Sequence, residues 1–253
     1  MQSITLPEGK NIYFASDFHL GLPNYKESIV REKMICQWLE SIASTAYKIY
    51  LVGDLFDVWF EYKKVVPKGY TRFLGTLARL SDAGVQIEIF TGNHDLWMKD
   101  YFMTEMNIPV HYNPIQISIN NTKFFIGHGD GLGPGDKGYK LLKSIMSNKV
   151  SQWIYRLLHP NIGIGIADYF SKKGEKHYDT SNQFLGPDQE WLVQFCNEEL
   201  KSTHYDYFIF GHRHLAITYP LSSSSSYINL GDWLHFNTYA VFDGSKTVLI
   251  QYQ

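Results

Sequence analysis

The chain has 253 residues, the size of one large domain or of one domain carrying an insertion. Lys and Arg number 23 against 25 Asp and Glu, a formal net charge of −2 that argues against a nucleic-acid binder held by phosphate contacts. A hydrophobic content of 44% with 19% charged residues excludes wholesale disorder, and Cys36 and Cys196 alone cannot make a disulfide framework or a four-thiolate zinc site.

No apolar run resembles a signal peptide or reaches the ~18 residues of a membrane span, so the expectation is a soluble protein of a reducing compartment. Ile12 to Ser16 reads as a buried strand running into Asp17-Phe18-His19. Between about Glu27 and Ala43, Met34, Ile35, Trp38, Leu39 and Ile42 recur at three- and four-residue steps and predict a helix. Lys48 to Val52 is a second strand, ending at Gly53-Asp54. Phe73, Leu74, Leu77 and Leu80 predict a second helix, stopped near Gly84. Val85 to Phe90 is a third strand, ending at Gly92-Asn93-His94-Asp95. This alternation is that of a parallel sheet with crossover helices.

Past Pro109 the texture changes. Ile115–Ile119 and Lys123–Gly127 flank Asn120-Asn121, a hairpin signal, and the second of these strands runs into His128-Gly129-Asp130. Residues 138–174 are helical in flavour, interrupted by Pro160 and Gly163-Ile164-Gly165, and read as an inserted cap in a single domain spanning residues 1–253. Gly186-Pro187-Asp188 is expected to open a helix carrying Trp191, Leu192, Phe195 and Leu200. Tyr207 to Phe210 is a strand ending at Gly211-His212-Arg213-His214, and the tail, turning at Asp243-Gly244, reads as antiparallel strands closing a second sheet. Ser222 to Ser226 reads as a solvated loop tip.

The chemistry lies in where His, Asp and Asn fall. Asp17 and His19 follow the first strand, Asp54 the second, Asn93 to Asp95 the third, His128 a fourth, and His212 and His214 a fifth. Ligands gather at the carboxyl ends of strands in open α/β sheets, so residues about 200 positions apart can converge. Carboxylate, imidazole and amide oxygen without thiolate suit Mn, Fe, Zn or Mg. Seven such groups are too many for one ion and suit two ions about 3.5–4 Å apart that share a carboxylate and clamp a phosphoryl displacement. His159, His177, His204 and His235 lack this setting and read as structural.

The ordered set Asp-x-His, Gly-Asp-x-x-Asp, Gly-Asn-His-Asp, His-Gly-Asp and Gly-His-x-His resembles the calcineurin-like metallophosphoesterase superfamily. The resemblance implies an α/β fold of two facing mixed β-sheets flanked by helices, with a helical cap insertion. It also implies that Asp17, His19, Asp54 and His214 hold a first metal, with Asp54 bridging to a second completed by Asn93, His128 and His212. His94 would then act on the leaving oxygen, with Asp95 orienting it.

Within that superfamily, Gly53-Asp54-Leu55-Phe56-Asp57, and His128-Gly129-Asp130 followed by Asp136, Gly138, Tyr139 and a helical insertion, look like the UDP-2,3-diacylglucosamine diphosphatase branch of lipid A biosynthesis. That similarity implies a nucleotide-sugar lipid cleaved to UMP and lipid X, with Asn93 and Asp136 at the substrate. It further implies two divalent ions, Mn2+ favoured over Fe or Zn, and a cytoplasmic enzyme in transient contact with the inner-membrane surface. The cap's Ile145, Met146, Val150, Trp153, Ile154 and Leu157 suit acyl chains, and Lys140, Lys143, Lys149, Lys172, Lys173 and Lys176 suit an anionic leaflet; an amphipathic helix packed on the core has the same composition. The chain departs from the branch at His94, where Arg is common. A diphosphate expels a phosphomonoester that leaves well without a proton, whereas an alcohol gains much more from a general acid. Hydrolysis of a phosphomonoester, cyclic phosphodiester or nucleotide therefore stays open as an alternative. A non-catalytic scaffold would have lost ligands, and none is missing here.

Overall fold

The computed structural model of the chain describes residues 2–135, 137–178 and 183–253. The side chains of residues 172–178, among them Lys172, Lys173, Lys176 and His177, and the whole of Asp136 lie outside that description.

In chain order the elements begin with β1 (Gln2–Ile4), β2 (Asn11–Ala15), α1 (Tyr25–Ile42), β3 (Ala46–Val52), α2 (Thr71–Asp82) and β4 (Gln86–Phe90). Next come α3 (Tyr101–Met106), β5 (Val110–His111), β6 (Ile115–Ile119) and β7 (Thr122–Ile126). The cap follows as α4 (Lys137–Ser147), α5 (Lys149–Tyr155) and α6 (Pro160–Tyr178). The chain then closes with α7 (Trp191–Glu199), β8 (Tyr207–Phe210), β9 (Ala216–Pro220), β10 (Ser226–Leu230), β11 (Thr238–Phe242) and β12 (Thr247–Gln251).

The strands form two mixed six-stranded sheets, ordered β1-β6-β7-β8-β10-β9 and β12-β11-β2-β3-β4-β5. Side chains alternate across each strand, and both faces of the inner strands are buried. Phe14 of β2 and Tyr50 and Val52 of β3 meet Phe124 and Ile126 of β7 and Ile209 of β8 in a core between the sheets. Tyr13, Ile49 and Leu51 point the other way, onto Trp38 and Leu39 of α1 and Phe73 and Leu77 of α2. Outside the first sheet, Leu192, Val193 and Cys196 of α7 cover Phe125, Phe208 and Phe210. The facing sheets with flanking helices are the architecture implied by the motif set.

Local details differ from the sequence expectation in four places. Pro160 opens α6 rather than breaking a helix, and Gly163 and Gly165 lie inside the same continuous α6. The first helical position needs no backbone N–H, which suits proline, while the missing Cβ at Gly163 lets the helix lie against Tyr62 and Tyr155. Residues 186–189 form a turn, and α7 starts only at Trp191. The tail divides between the sheets: β10 pairs parallel to β8 and antiparallel to β9, and β11 joins the other sheet against β2 and β12. Finally, the serine run is solvated only in part, because Ser225 is buried and Ser226 starts β10. Asn120 and Asn121 both take left-handed backbone (φ 49° and 69°), closing the β6–β7 hairpin as expected.

Candidate metal centre

The strands β2, β3, β4, β7, β8 and β10 all deliver their carboxyl ends to one rim, because they run parallel within their sheets and the sheets are stacked. The turns leaving that rim are conformationally unusual. Asp17, His19, Asp54, His212 and His214 all have positive φ, between 42° and 66°, a region that costs non-glycine residues energy. Concentrated on five of the seven expected ligands, this strain marks a functional site. Gly53 and Gly92 allow the close approach: a Cβ at Gly53 would lie 2.6 Å from His128 Nδ1, and one at Gly92 2.7 Å from the Asp54 backbone nitrogen.

All seven side chains converge. His214 Nε2 lies 3.3 Å from Asp17 Oδ1 and 3.2 Å from His19 Nε2, which is 3.7 Å from Asp54 Oδ2. On the other side of Asp54, its Oδ2 lies 3.2 Å from His128 Nε2, and Asn93 Oδ1 lies 3.3 Å from the same nitrogen and 2.9 Å from His212 Nδ1. Asp54 thus sits between a group containing Asp17, His19 and His214 and one containing Asn93, His128 and His212. Candidate ion-holding triads are Asp17–His19–His214, His19–Asp54–His94 and Asp17–Asp54–His128, with their ligand atoms within 4.8 Å of one another.

The donors fit divalent ions. His128 Nδ1 donates to the Val52 carbonyl at 2.8 Å and His214 Nδ1 to Asp232 Oδ2 at 3.1 Å, so the Nε2 atoms of both rings face the cluster, where a divalent ion could displace their protons. His19 Nδ1 is buried with no hydrogen-bond partner among the described residues. Burial opposes charge on His128 and His214, yet the carboxylates of Asp54 and Asp17 respectively hold each imidazole up at about 10. Burial and the neighbouring His128 push His212 down to about 4. Asp17 and Asp54 are held well below the ordinary carboxylate range against their burial by these same imidazoles. Asp17 and Asp54 thus draw positive charge to the rim, which protons on the imidazoles or divalent ions could supply.

His94 stands beside the cluster. Its backbone N–H donates to Asp54 Oδ1 at 2.9 Å, and its Nδ1 lies 3.2 Å from Asp57 Oδ1. Burial notwithstanding, Asp54 and Asp57 raise its imidazole to about 9. Asp95 does not orient it. The Asp95 carboxylate instead accepts from the backbone N–H groups of Gly92 (2.7 Å) and Leu55 (2.8 Å), tying the turn after β4 to the turn after β3. An acidic side chain directly after the histidine points into the turn, whereas Asp57, from the neighbouring strand's loop, reaches the ring. Burial and the Asp54 charge push Asp95 up to about 7.

The sequence gives no role to Asp57, Asp130, Asp232 or Ser171. Asp232 carried a readable signal, since Gly231-Asp232 repeats the strand–Gly–Asp pattern of Gly53-Asp54. Its Oδ1 caps the N–H groups of Leu234 and His235 while Oδ2 serves His214. Asp130 holds the cap, accepting from Lys143 at 2.6 Å and from the Tyr139 hydroxyl. Ser171 of α6 donates to Asp57 and lies 3.4 Å from His94 Nδ1. Nothing in the local sequence signals that long-range contact. Arg213, between the two histidines, pairs with buried Glu190 (Nε–Oε1 2.9 Å) and fixes their loop to the start of α7.

The calcineurin-like phosphoesterase family model matches residues 10–216. The chain belongs to that family. It is therefore a metal-dependent phosphoesterase, and the rim cluster supplies the residues that could hold its divalent ions. A UDP-2,3-diacylglucosamine hydrolase of Porphyromonas gingivalis (strain W83) is 39% identical over 94% of this chain and 96% of its own length. Proteins of the same name from Shewanella sp. (strain W3-18-1) and Tolumonas auensis are 26% and 28% identical, each over 87% of this chain and 88% of its own. Among solved structures, the Escherichia coli phosphoesterase YfcE aligns with a TM-score of 0.47 at 15% identity, covering 95% of this chain and 92% of its own.

Proposed function

We propose that this phosphoesterase hydrolyses the diphosphate of UDP-2,3-diacylglucosamine, giving UMP and 2,3-diacylglucosamine 1-phosphate (lipid X), a step of lipid A biosynthesis. The observation that carries the reading is the near full-length similarity to the P. gingivalis hydrolase. The cap supports it. Among the described residues, α4 and α5 bury no side chain, and Leu142, Ile145, Trp153 and Ile154 are all more than half exposed. Apolar side chains this exposed suit acyl chains, each CH₂ of which is worth roughly 0.8 kcal/mol when buried. With Lys140, Lys143 and Lys149 beside them, they also suit transient contact with an anionic membrane surface. No helix among the described residues is long and apolar enough to cross a membrane.

Asp17, His19, Asp54 and His214 would hold a first ion, and Asp54, Asn93, His128 and His212 a second. Donors of oxygen and imidazole nitrogen without thiolate suit Mn, Fe or Zn alike, and the resemblance to the diphosphatase branch favours Mn2+. When bound, two such ions supply Lewis-acid charge to the transferring phosphoryl group. The chain's own residues do the rest. Val52 and Asp232 lock the tautomers of His128 and His214, and Asp57 holds His94 Nδ1 so that Nε2 is left to donate to the departing oxygen. Asp95 acts only on the turn that carries Asn93 and His94. Asp136, expected at the substrate, lies outside the described residues.

The His94–Asp57 pair favours a second reading, since a proton donor gains most with an alcohol leaving group. Parallel assays of the Mn-loaded protein decide between them: UDP-2,3-diacylglucosamine should turn over far faster than p-nitrophenyl phosphate or a cyclic nucleotide. The reverse ranking would install the second reading.

A further inference from the structure

Two cavities flank the cluster, and they differ in charge. One, of about 700 Å³, has His128 and Asp130 at its inner wall and extends between α4 and the segment around Tyr112. Lys99, Lys140, Lys143 and Lys149 line it, and Asp130 is the one carboxylate among its lining residues. The other, of about 560 Å³, lies beside Asp57 and is lined by Glu32, Asp57 and Asp168 against Lys68 alone. Over this second side passes α6, whose Ser171 contacts Asp57 and whose Ile166, Tyr169 and Phe170 expose apolar surface.

Resting on the proposed substrate, we infer that the diphosphate lies across the cluster with its nucleotide half in the lysine-lined cavity and its acylated sugar on the α6 side. Acyl chains cannot fill the first cavity without desolvating several ammonium groups, which is costly. A nucleoside monophosphate suits it in three respects. Its volume lies in the ordinary range for a small-ligand site. The lysines answer the phosphate charge as point donors. Ser144, Asn113 and Gln152 offer hydrogen-bonding groups for ribose and base, and the Tyr112 ring stands half exposed for stacking. The opposite cavity, with three carboxylates against one lysine, offers a nucleotide no comparable set of cationic donors.

Titration of the Mn-loaded full chain with UMP, by calorimetry, tests the assignment. Lys149→Ala combined with Lys99→Ala should weaken UMP binding about tenfold, as expected for removed charge-assisted contacts, and leave binding of 2,3-diacylglucosamine 1-phosphate within about twofold. Ile166→Glu should show the opposite split. Lys149→Ala alone, at an exposed helix start, should move UMP in the same direction if the double variant folds poorly. Unchanged UMP affinity in the lysine variants, or equal losses of both ligands, overturns the inference. If the wild type fails to hydrolyse UDP-2,3-diacylglucosamine, the proposed substrate falls, while the UMP titrations still decide what the lysine cavity holds.

Discussion

His94 is gripped from two sides, by Asp57 at its ring and by Asp54 at its backbone, and both carboxylates hold the ring in its charged form. In the proposed role, a group so fixed would act on the leaving oxygen without reorganising. His94→Ala should lower kcat on UDP-2,3-diacylglucosamine by about 10²-fold, the low end for proton donation, because the leaving phosphate needs little help. Asp57→Asn should lower kcat in the same sense by a smaller factor. Metal content, read by elemental analysis after dialysis, should not change in either variant. A His94→Ala protein that has lost an ion would make His94 a ligand, as one of the three donor triads permits. Asp54 is the contrasting case. It stands between both groups of donors, so Asp54→Asn should weaken both sites and abolish most turnover; two retained equivalents with normal turnover would refute the bridging role.

Among the elements, β3, β4 and β5 share a polar cluster inside an otherwise apolar sheet. Lys48, 4% exposed, pairs with Glu88 at 2.6 Å, and Glu88 also meets His111 at 2.8 Å. Against its burial, the hydrogen bonds from His111 and Lys48 lower the Glu88 carboxyl below its usual 4.5. A lowered carboxyl contributes stability that is complete above its unfolded value and is lost as the pH falls through the folded one. The Tm should therefore drop on acidification below about pH 4.5 more steeply in the wild type than in Glu88→Gln. At pH 7 the Glu88→Gln variant should be less stable by about 3 kcal/mol, since Lys48 stays buried without its partner. Equal acid profiles would remove this cluster from the account.

The cap elements behave differently, because their apolar side chains face outward rather than into the core. Trp97 donates to the Met146 carbonyl at 2.7 Å, Tyr155 packs on Phe60 and Trp97, Asp130 holds α4 and Ser171 of α6 reaches Asp57, and these contacts anchor the cap. Trp153→Glu or Ile154→Glu, at exposed positions, should leave Tm within about 2 °C, as surface substitutions usually do. Each should raise KM for the diacylated substrate several-fold and spare a small soluble phosphodiester. Equal losses on both substrates would make the cap a structural cover.

At the scale of the molecule, the strand ends explain what could be read in advance. Asp17, His19, Asp54, Asn93, His128, His212 and His214 each follow an apolar run within a few residues, and stacked parallel strands bring such positions to one rim whatever their separation in sequence. The same logic covers Asp232 after β10, where Gly231-Asp232 is suggestive in the sequence but receives no role because the tail reads as purely antiparallel and its parallel pairing to β8 is non-local. Asp57 and Ser171 were illegible for another reason. Their partnership with His94 depends on how a loop and a cap helix pack, and 114 residues separate the two. The pairing of Asp95 with backbone N–H groups in place of His94 is likewise a matter of turn geometry.

The most direct measurement is made on metal-depleted protein incubated with UDP-2,3-diacylglucosamine, with and without added Mn2+, following nucleotide and lipid products together by mass spectrometry. UMP and 2,3-diacylglucosamine 1-phosphate should appear in equal amounts, only when metal is added, and hardly at all with Asp54→Asn. Metal-independent turnover, release of orthophosphate in place of UMP, or an intact substrate with every divalent ion tried would contradict the account.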